Sequence, residues 1–140
     1  GGQFLDLKFE KKKISKNKII DMEIKKTGKL FSFCCMAPAI IKYKNLKEIK
    51  FLEKTGSNIG LLFQIVDDLI DFKGSSKIAG KKTRKDIKKG KATLISLLGY
   101  KNAIKYRDKI KSKIINDLKK YGSRANNISE TLNYILKRNK

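Results

Sequence analysis

The stretch from Asn58 to Phe72 constrains this chain more than any other part of it. Wound as a helix at about 100° per residue, it is apolar almost all round: Ile59, Leu61, Leu62, Phe63, Ile65, Val66, Leu69, Ile70 and Phe72. A helix of that kind belongs in the interior of a protein. The exceptions fall on one line. Gly60, Gln64, Asp67 and Asp71 lie within an arc of about 60°, with Asp68 close beside it. Glu53 and Gly56 prolong the line one to two turns earlier.

A solvated polar strip is the plainer explanation for acids on a helix, but such strips are wider and mix Lys with Glu. No Lys occurs from 55 to 72 in a chain that carries 35 Lys and Arg. Three carboxylates on a buried face repel one another, and burying them unpaired is costly. A divalent cation removes that cost. Asp67 and Asp71 are spaced i, i+4, so both reach one side of the helix. Magnesium, a hard ion, takes oxygen ligands, typically one or two carboxylates completed by water and substrate phosphate. We therefore expect Asp67, Asp68 and Asp71 to hold Mg2+, with Mn2+ as an acceptable substitute.

A metal-bound phosphate needs cations around it. Lys26-Thr27-Gly28 ends one predicted helix and opens the next, offering an ammonium, a hydroxyl and helix N-terminal amides. The segments Gly80-Lys81-Lys82-Thr83-Arg84-Lys85-Asp86 and Gly90-Lys91-Ala92-Thr93 add further donors. Neither is a nucleotide P-loop, which needs Gly-Lys followed directly by Ser or Thr; here Lys82 and Ala92 follow.

The rest of the chain reads as helical. No period-2 alternation and no Asn-Gly or Asp-Gly turn occurs. Expected helices cover Gly2 to about Glu10, Ile19 to Lys26, Lys29 to Ile41 with Pro38 near its end, Leu46 to Phe72, Thr93 to Leu98, Lys101 to Tyr121 and Ile128 to Lys137. Lys11 to Asn17 reads as a basic connector and Lys73 to Lys91 as a mobile loop. The expected fold class is all-α, a helical bundle formed by residues 1–140 as one unit.

Net charge is +22, yet only four of the basic residues are Arg: Arg84, Arg107, Arg124 and Arg138. Sequence readers of DNA lean on Arg for bidentate base contacts, so nucleic acid is not an expected partner. Leu30 to Ile41 is the longest apolar run and is too short to span a bilayer, which takes about 20 residues, so no membrane insertion is expected. Cys34 and Cys35 are adjacent and are the only cysteines. They fit a reducing, cytoplasmic setting and are expected to be buried packing residues. With no His in the chain, chemistry falls to carboxylates, Lys, amides and hydroxyls.

Taken in order, Gly2-Gln3-Phe4-Leu5-Asp6, Lys26-Thr27-Gly28, Gly60-Leu-Leu-Phe63-Gln64-Ile-Val-Asp67-Asp68-Leu-Ile-Asp71, Gly80-Lys81, Asp86 and Gly90-Lys91-Ala92-Thr93 resemble the second half of the polyprenyl synthetase family. The similarity is greatest to bacterial farnesyl diphosphate synthases and extends to the closing Tyr134 to Lys140. The resemblance implies the C-terminal half of an isoprenoid synthase (class I terpenoid synthase) fold. It implies that Asp67 is the main magnesium ligand, helped by Asp68 and Asp71. Lys26 and Lys81 would bind an allylic diphosphate with Lys91 nearby. Thr27 and Gln64 would line the reaction centre, and Gln3 and Asp6 would face the same cavity. The implied reaction is Mg-assisted ionisation of dimethylallyl or geranyl diphosphate and attack by isopentenyl diphosphate, giving farnesyl or geranylgeranyl diphosphate in a homodimeric enzyme.

One departure matters. The family has two facing aspartate-rich motifs and only the second is present, so the chain is expected to be a fragment that lacks full activity and exposes an apolar face. Three other readings stand beside this one. A non-catalytic subunit of a heteromeric prenyl synthase would tend to lose the aspartates, which are kept here. A squalene or phytoene synthase fits the Phe-Gln and Lys-Thr-Gly contexts less well. A basic nucleic-acid-binding helical protein would show salt-dependent binding without magnesium dependence.

Overall fold

A computed structural model describes residues 1–8, 15–78 and 93–138, including their side chains except those of residues 6, 7 and 75–78. Every regular element among them is helical. In chain order these are α1 (Gly2–Lys8), α2 (Lys16–Glu23), a π-helical turn (Ile24–Gly28), α3 (Lys29–Ile41), α4 (Leu46–Ile78), α5 (Leu94–Leu98), α6 (Tyr100–Leu118), a 3-10 segment (Lys119–Ala125) and α7 (Asn126–Lys137).

The long helix α4 is the axis of the bundle, as its apolar circumference requires. Leu62 and Val66 are wholly buried, and Ile59, Leu61, Ile65 and Leu69 nearly so. They meet Ile19 and Met22 of α2, Leu94 and Ile95 of α5, Ala103, Ile110, Ile114 and Leu118 of α6, and Leu132 and Ile135 of α7. Each large aliphatic side chain buried this way contributes about 1.5–3 kcal/mol. At the far end of α4 Phe72 stacks on Tyr100 with ring centroids 5.2 Å apart. Near its start Glu48 accepts hydrogen bonds from Lys120 Nζ (2.8 Å) and from the Tyr121 hydroxyl, and Lys120 lies over the Phe51 ring at 3.6 Å. That cluster fastens the 3-10 segment to α4.

The opposite side of α4 packs on α3 and the π turn at backbone distance. A Cβ placed on Gly60 would lie 2.5 Å from Gly28 Cα, and one placed on Gly56 would lie 2.4 Å from the Phe31 carbonyl oxygen. No side chain fits there. The same holds for α1, where a Cβ on Gly2 would sit 2.2 Å from the Lys26 nitrogen. Gly2 and Gly60 thus let two elements close on the turn that carries Lys26, and Gly56 lets α4 close on α3.

Several boundaries differ from expectation. Helix α2 begins at Lys16 rather than Ile19, because extended backbone at Ser15 starts the helix there, and Lys16 Nζ lies over the Tyr106 ring at 4.1 Å. Lys16 and Asn17, read as part of the basic connector, are therefore helical. The expected break between two helices at Thr27 is no break: α2 runs through the π turn into α3, and the Lys29 N–H bonds to Ile24 O. Helix α4 continues past Phe72 to Ile78, so the expected loop is helical over its first residues. Helix α6 ends at Leu118 instead of Tyr121, because the tighter 3-10 segment, with Gly122 at φ 53°, takes over the chain. The cysteines are not buried. Cys34 is exposed, because it lies on a side of α3 that also leaves Leu30 and Ile41 exposed, whereas Cys35 is half-buried and packs against the core. The expected exposed apolar surface is thus present on α3, and Phe4 of α1 adds to it.

The glycine contact yields a direct check. Gly60→Ala should destabilise the chain by about 1–3 kcal/mol, the usual cost of overpacking, although Ala is the better helix former by up to about 1 kcal/mol. Urea unfolding measures this. An unchanged or raised stability would show that the two backbones do not touch.

Candidate functional site

The line on α4 that begins at Gly60 leads directly to the polar cluster. Because Gly60 seats Gly28, the preceding residue Thr27 comes to rest against the next polar position of α4. Thr27 Oγ1 donates to Gln64 Oε1 at 3.1 Å. This orients the Gln64 amide, whose Nε2 donates to Asp68 Oδ1 at 3.3 Å. Hydroxyl, amide and carboxylate thus form one directed chain from the π turn to the acidic row. A π turn in a helix often marks a functional position because it displaces side chains from regular register; here it displaces Lys26 and Thr27 toward α4.

The acidic row lies along an edge of α4 and is less buried than expected. Asp67 and Asp68 are half-buried and Asp71 is exposed, because the apolar neighbours of α4 pack on its other sides. Burial still pushes the Asp68 carboxyl up to about 6, against the hydrogen bond from Gln64 and the charge of Lys26; Asp71 and Asp67 add to the upward push. The charge of the Lys26 ammonium thus reaches the Asp68 carboxyl. Among the described residues no three acidic or thiol groups converge to hold a metal by themselves. The donors are all oxygen, and the charges of Asp71 and Asp67 both disfavour ionisation of Asp68. Such a row suits a hard cation that takes one or two carboxylates and completes its shell with water and phosphate.

Other expected members are placed differently. Gln3 is on α1 and exposed. The Asp6 side chain, Lys81, Asp86 and Lys91 lie outside the described residues. Lys26, Thr27, Gln64, Asp67, Asp68 and Asp71 are brought together. The expected helix N-terminal amides at Lys26-Thr27-Gly28 are not available, since the helix is continuous there.

Arg138 joins the cluster from the far end of the chain. Its Nη2 donates to Asp67 Oδ1 at 2.9 Å, and its guanidinium lies over the Phe63 ring at 4.7 Å. Phe63 in turn packs on Phe31, with centroids 5.8 Å apart. The scarcity of Arg in a Lys-rich chain was the one signal that could have singled it out.

With this geometry in view, comparison with known proteins is direct. The polyprenyl synthetase family model matches residues 1–135. Farnesyl diphosphate synthase of Micrococcus luteus is 33% identical over 139 residues, covering 99% of this chain and 48% of that protein. A solved FPP/GFPP synthase from Zymomonas mobilis superposes with a TM-score of 0.79 at 34% identity, over 96% of this chain and 44% of that one. A geranyltransferase from Helicobacter pylori, solved with magnesium and isoprenyl diphosphate, superposes with a TM-score of 0.73 at 29% identity, over 98% and 45%. The bundle has the all-α isoprenoid synthase fold. The chain belongs to the polyprenyl synthetase family, and it spans about half the length of the curated relatives it matches.

The raised Asp68 carboxyl makes a pH prediction. Folded Asp68 keeps its proton up to about pH 6, whereas the unfolded chain releases it near pH 3.9. Between those values the folded state binds more protons, so this group's contribution to stability falls as pH rises and then levels off. Asp68→Asn should remove that decline. Urea unfolding of both proteins without divalent ions, at pH 4.5 and pH 7, should show the variant gaining relative to the parent at the higher pH. Parallel pH profiles would contradict the burial of this carboxyl.

Proposed function

We propose that this chain is the C-terminal half of a single polyprenyl synthetase domain and the magnesium-dependent, allylic-diphosphate-binding half of a short-chain trans-prenyltransferase. The carrying observation is the directed chain from Thr27 through Gln64 to Asp68, with the charge of Lys26 reaching the same carboxyl. It brings a phosphate-binding cation and a metal-binding row to one place. Membership of the family and the magnesium and isoprenyl diphosphate in the H. pylori geranyltransferase structure support the same reading.

On this reading Asp67, Asp68 and Asp71 hold Mg2+, or Mn2+ in its place. The ion would supply positive charge against the leaving diphosphate of dimethylallyl or geranyl diphosphate. Lys26, with Lys81 and Lys91, binds the same diphosphate and stabilises the departing charge. Thr27 keeps the Gln64 carbonyl oxygen in a fixed direction at the reaction centre, so the dipole near the allylic cation is preorganised. The apolar surround of Phe31 and Phe63 keeps water from that cation. Isopentenyl diphosphate attacks the cation, a proton is lost to the released pyrophosphate, and each round adds five carbons until the product is farnesyl or geranylgeranyl diphosphate. Gln3 and Asp6 complete the cavity wall.

The first aspartate-rich motif and the isopentenyl diphosphate site belong to an N-terminal half, and the complete enzyme is a cytoplasmic homodimer. Among the described residues no helix is long and apolar enough to cross a membrane.

Reconstitution tests the reading. This chain is mixed with the N-terminal half of a related synthase and assayed for incorporation of isopentenyl diphosphate with magnesium. Asp67→Ala should lower the rate by roughly 10²–10³-fold, the scale of losing one electrostatic stabiliser. Full activity in that variant would overturn the assignment.

A further inference from the structure

Ser32 is 2% exposed and sits where α3 crosses α4. Its Oγ donates to the Gly28 carbonyl oxygen at 2.9 Å and lies 2.6 Å from Ser57 Oγ. A hydroxyl has one proton. Since that of Ser32 is committed to Gly28, the short contact must use the proton of Ser57. The result is a directed relay: Ser57 Oγ–H to Ser32 Oγ, Ser32 Oγ–H to Gly28 C=O.

The relay ends one residue after Thr27, at the last residue of the π turn. Ser57 and Gln64 are seven residues apart on α4, which puts them on one face about two turns, or roughly 10 Å, apart. The π turn is thus fastened to α4 at two points on that face, by hydroxyls to Ser57 and by Thr27 to Gln64. Between the two points the contact is backbone on backbone, at Gly28 and Gly60. The glycines set how near the turn lies, but smooth contact between Cα atoms does not resist sliding along the helix axis. A directional bond from a fixed hydroxyl does.

We propose that Ser57, acting through Ser32, is a positioning residue for diphosphate recognition: it fixes where the π turn sits along α4, and so where Lys26 and Thr27 stand relative to Gln64 and the acidic row. The inference rests on the reading of that row as a magnesium-diphosphate site. Removing the Ser57 hydroxyl leaves the fold and the glycine contact intact but lets the turn slip, and recognition of a two-phosphate ligand is sensitive to displacements on the scale of 1 Å.

Two measurements on the chain as it stands test this. The first is amide hydrogen exchange at Lys29, whose N–H closes the π turn onto Ile24 O. Exchange there should quicken in Ser57→Ala and return to the parent rate in Ser57→Thr, which keeps a hydroxyl. Unchanged exchange in Ser57→Ala would overturn the relay. The second is calorimetric titration with inorganic pyrophosphate in magnesium. Ser57→Ala should bind roughly five- to tenfold more weakly, the scale of one hydrogen bond, with a thermal midpoint close to the parent's, and Ser57→Thr should restore the affinity. A serine that only supports packing would lower the midpoint and leave the affinity alone, which would overturn the inference while leaving the diphosphate reading standing. A parent chain that does not bind magnesium pyrophosphate at all would overturn that reading and this inference with it.

Discussion

The contact of Gly28 on Gly60 is the constraint on which the rest of this molecule depends. At 2.5 Å from a would-be Cβ to a neighbouring Cα, it admits no side chain on α4 at that level. Everything specific to the site follows from how close the two backbones come. Thr27 is near enough to bond Gln64, Gln64 is turned so that its amide reaches Asp68, and Lys26 is held where its charge is felt by the same carboxylate. A larger residue at Gly60 would separate the cation-bearing turn from the anion-bearing helix by about the width of a methyl group.

The energetics divide along the same line. On one side α4 is held by ordinary apolar burial against α2, α5, α6 and α7, which is strong and non-directional. On the other it is held by close backbone contact and by directed bonds among Thr27, Gln64, Asp68, Ser32, Ser57 and Gly28. The first side supplies stability. The second side supplies position, and it carries an unfavourable feature, a row of three acids with the Asp68 carboxyl raised by burial. Arg138 offsets part of that repulsion by pairing with Asp67.

Much of this was legible in the residues. The apolar circumference of 58–72 identified the central helix, and the spacing of Gly60, Gln64, Asp67, Asp68 and Asp71 identified the face that turned out to meet Lys26 and Thr27. What periodicity could not show was how the chain passes Lys26-Thr27-Gly28. A glycine after a short helical pattern reads as a stop, yet here it is a place of close approach inside a continuous helix. Burial was also misjudged for Cys34 and for Asp71, because an apolar run reveals that a face is greasy without revealing whether anything covers it. Contacts between residues far apart in the chain, such as Arg138 with Asp67 or Ser32 with Ser57, have no periodic signature and needed the folded coordinates.

The central claim is that the row on α4 and the turn carrying Lys26 and Thr27 bind one metal-diphosphate between them. Paramagnetic NMR with Mn2+ tests it most directly, since the ion broadens resonances of nuclei close to it. Adding Mn2+ with inorganic pyrophosphate to the labelled chain should broaden Asp67, Asp68 and Asp71 of α4 together with Lys26 and Thr27 of the π turn, and excess Mg2+ should reverse the effect. Broadening confined to other acidic residues, such as Asp108 and Asp117 on α6, or none at the π turn, would contradict the account.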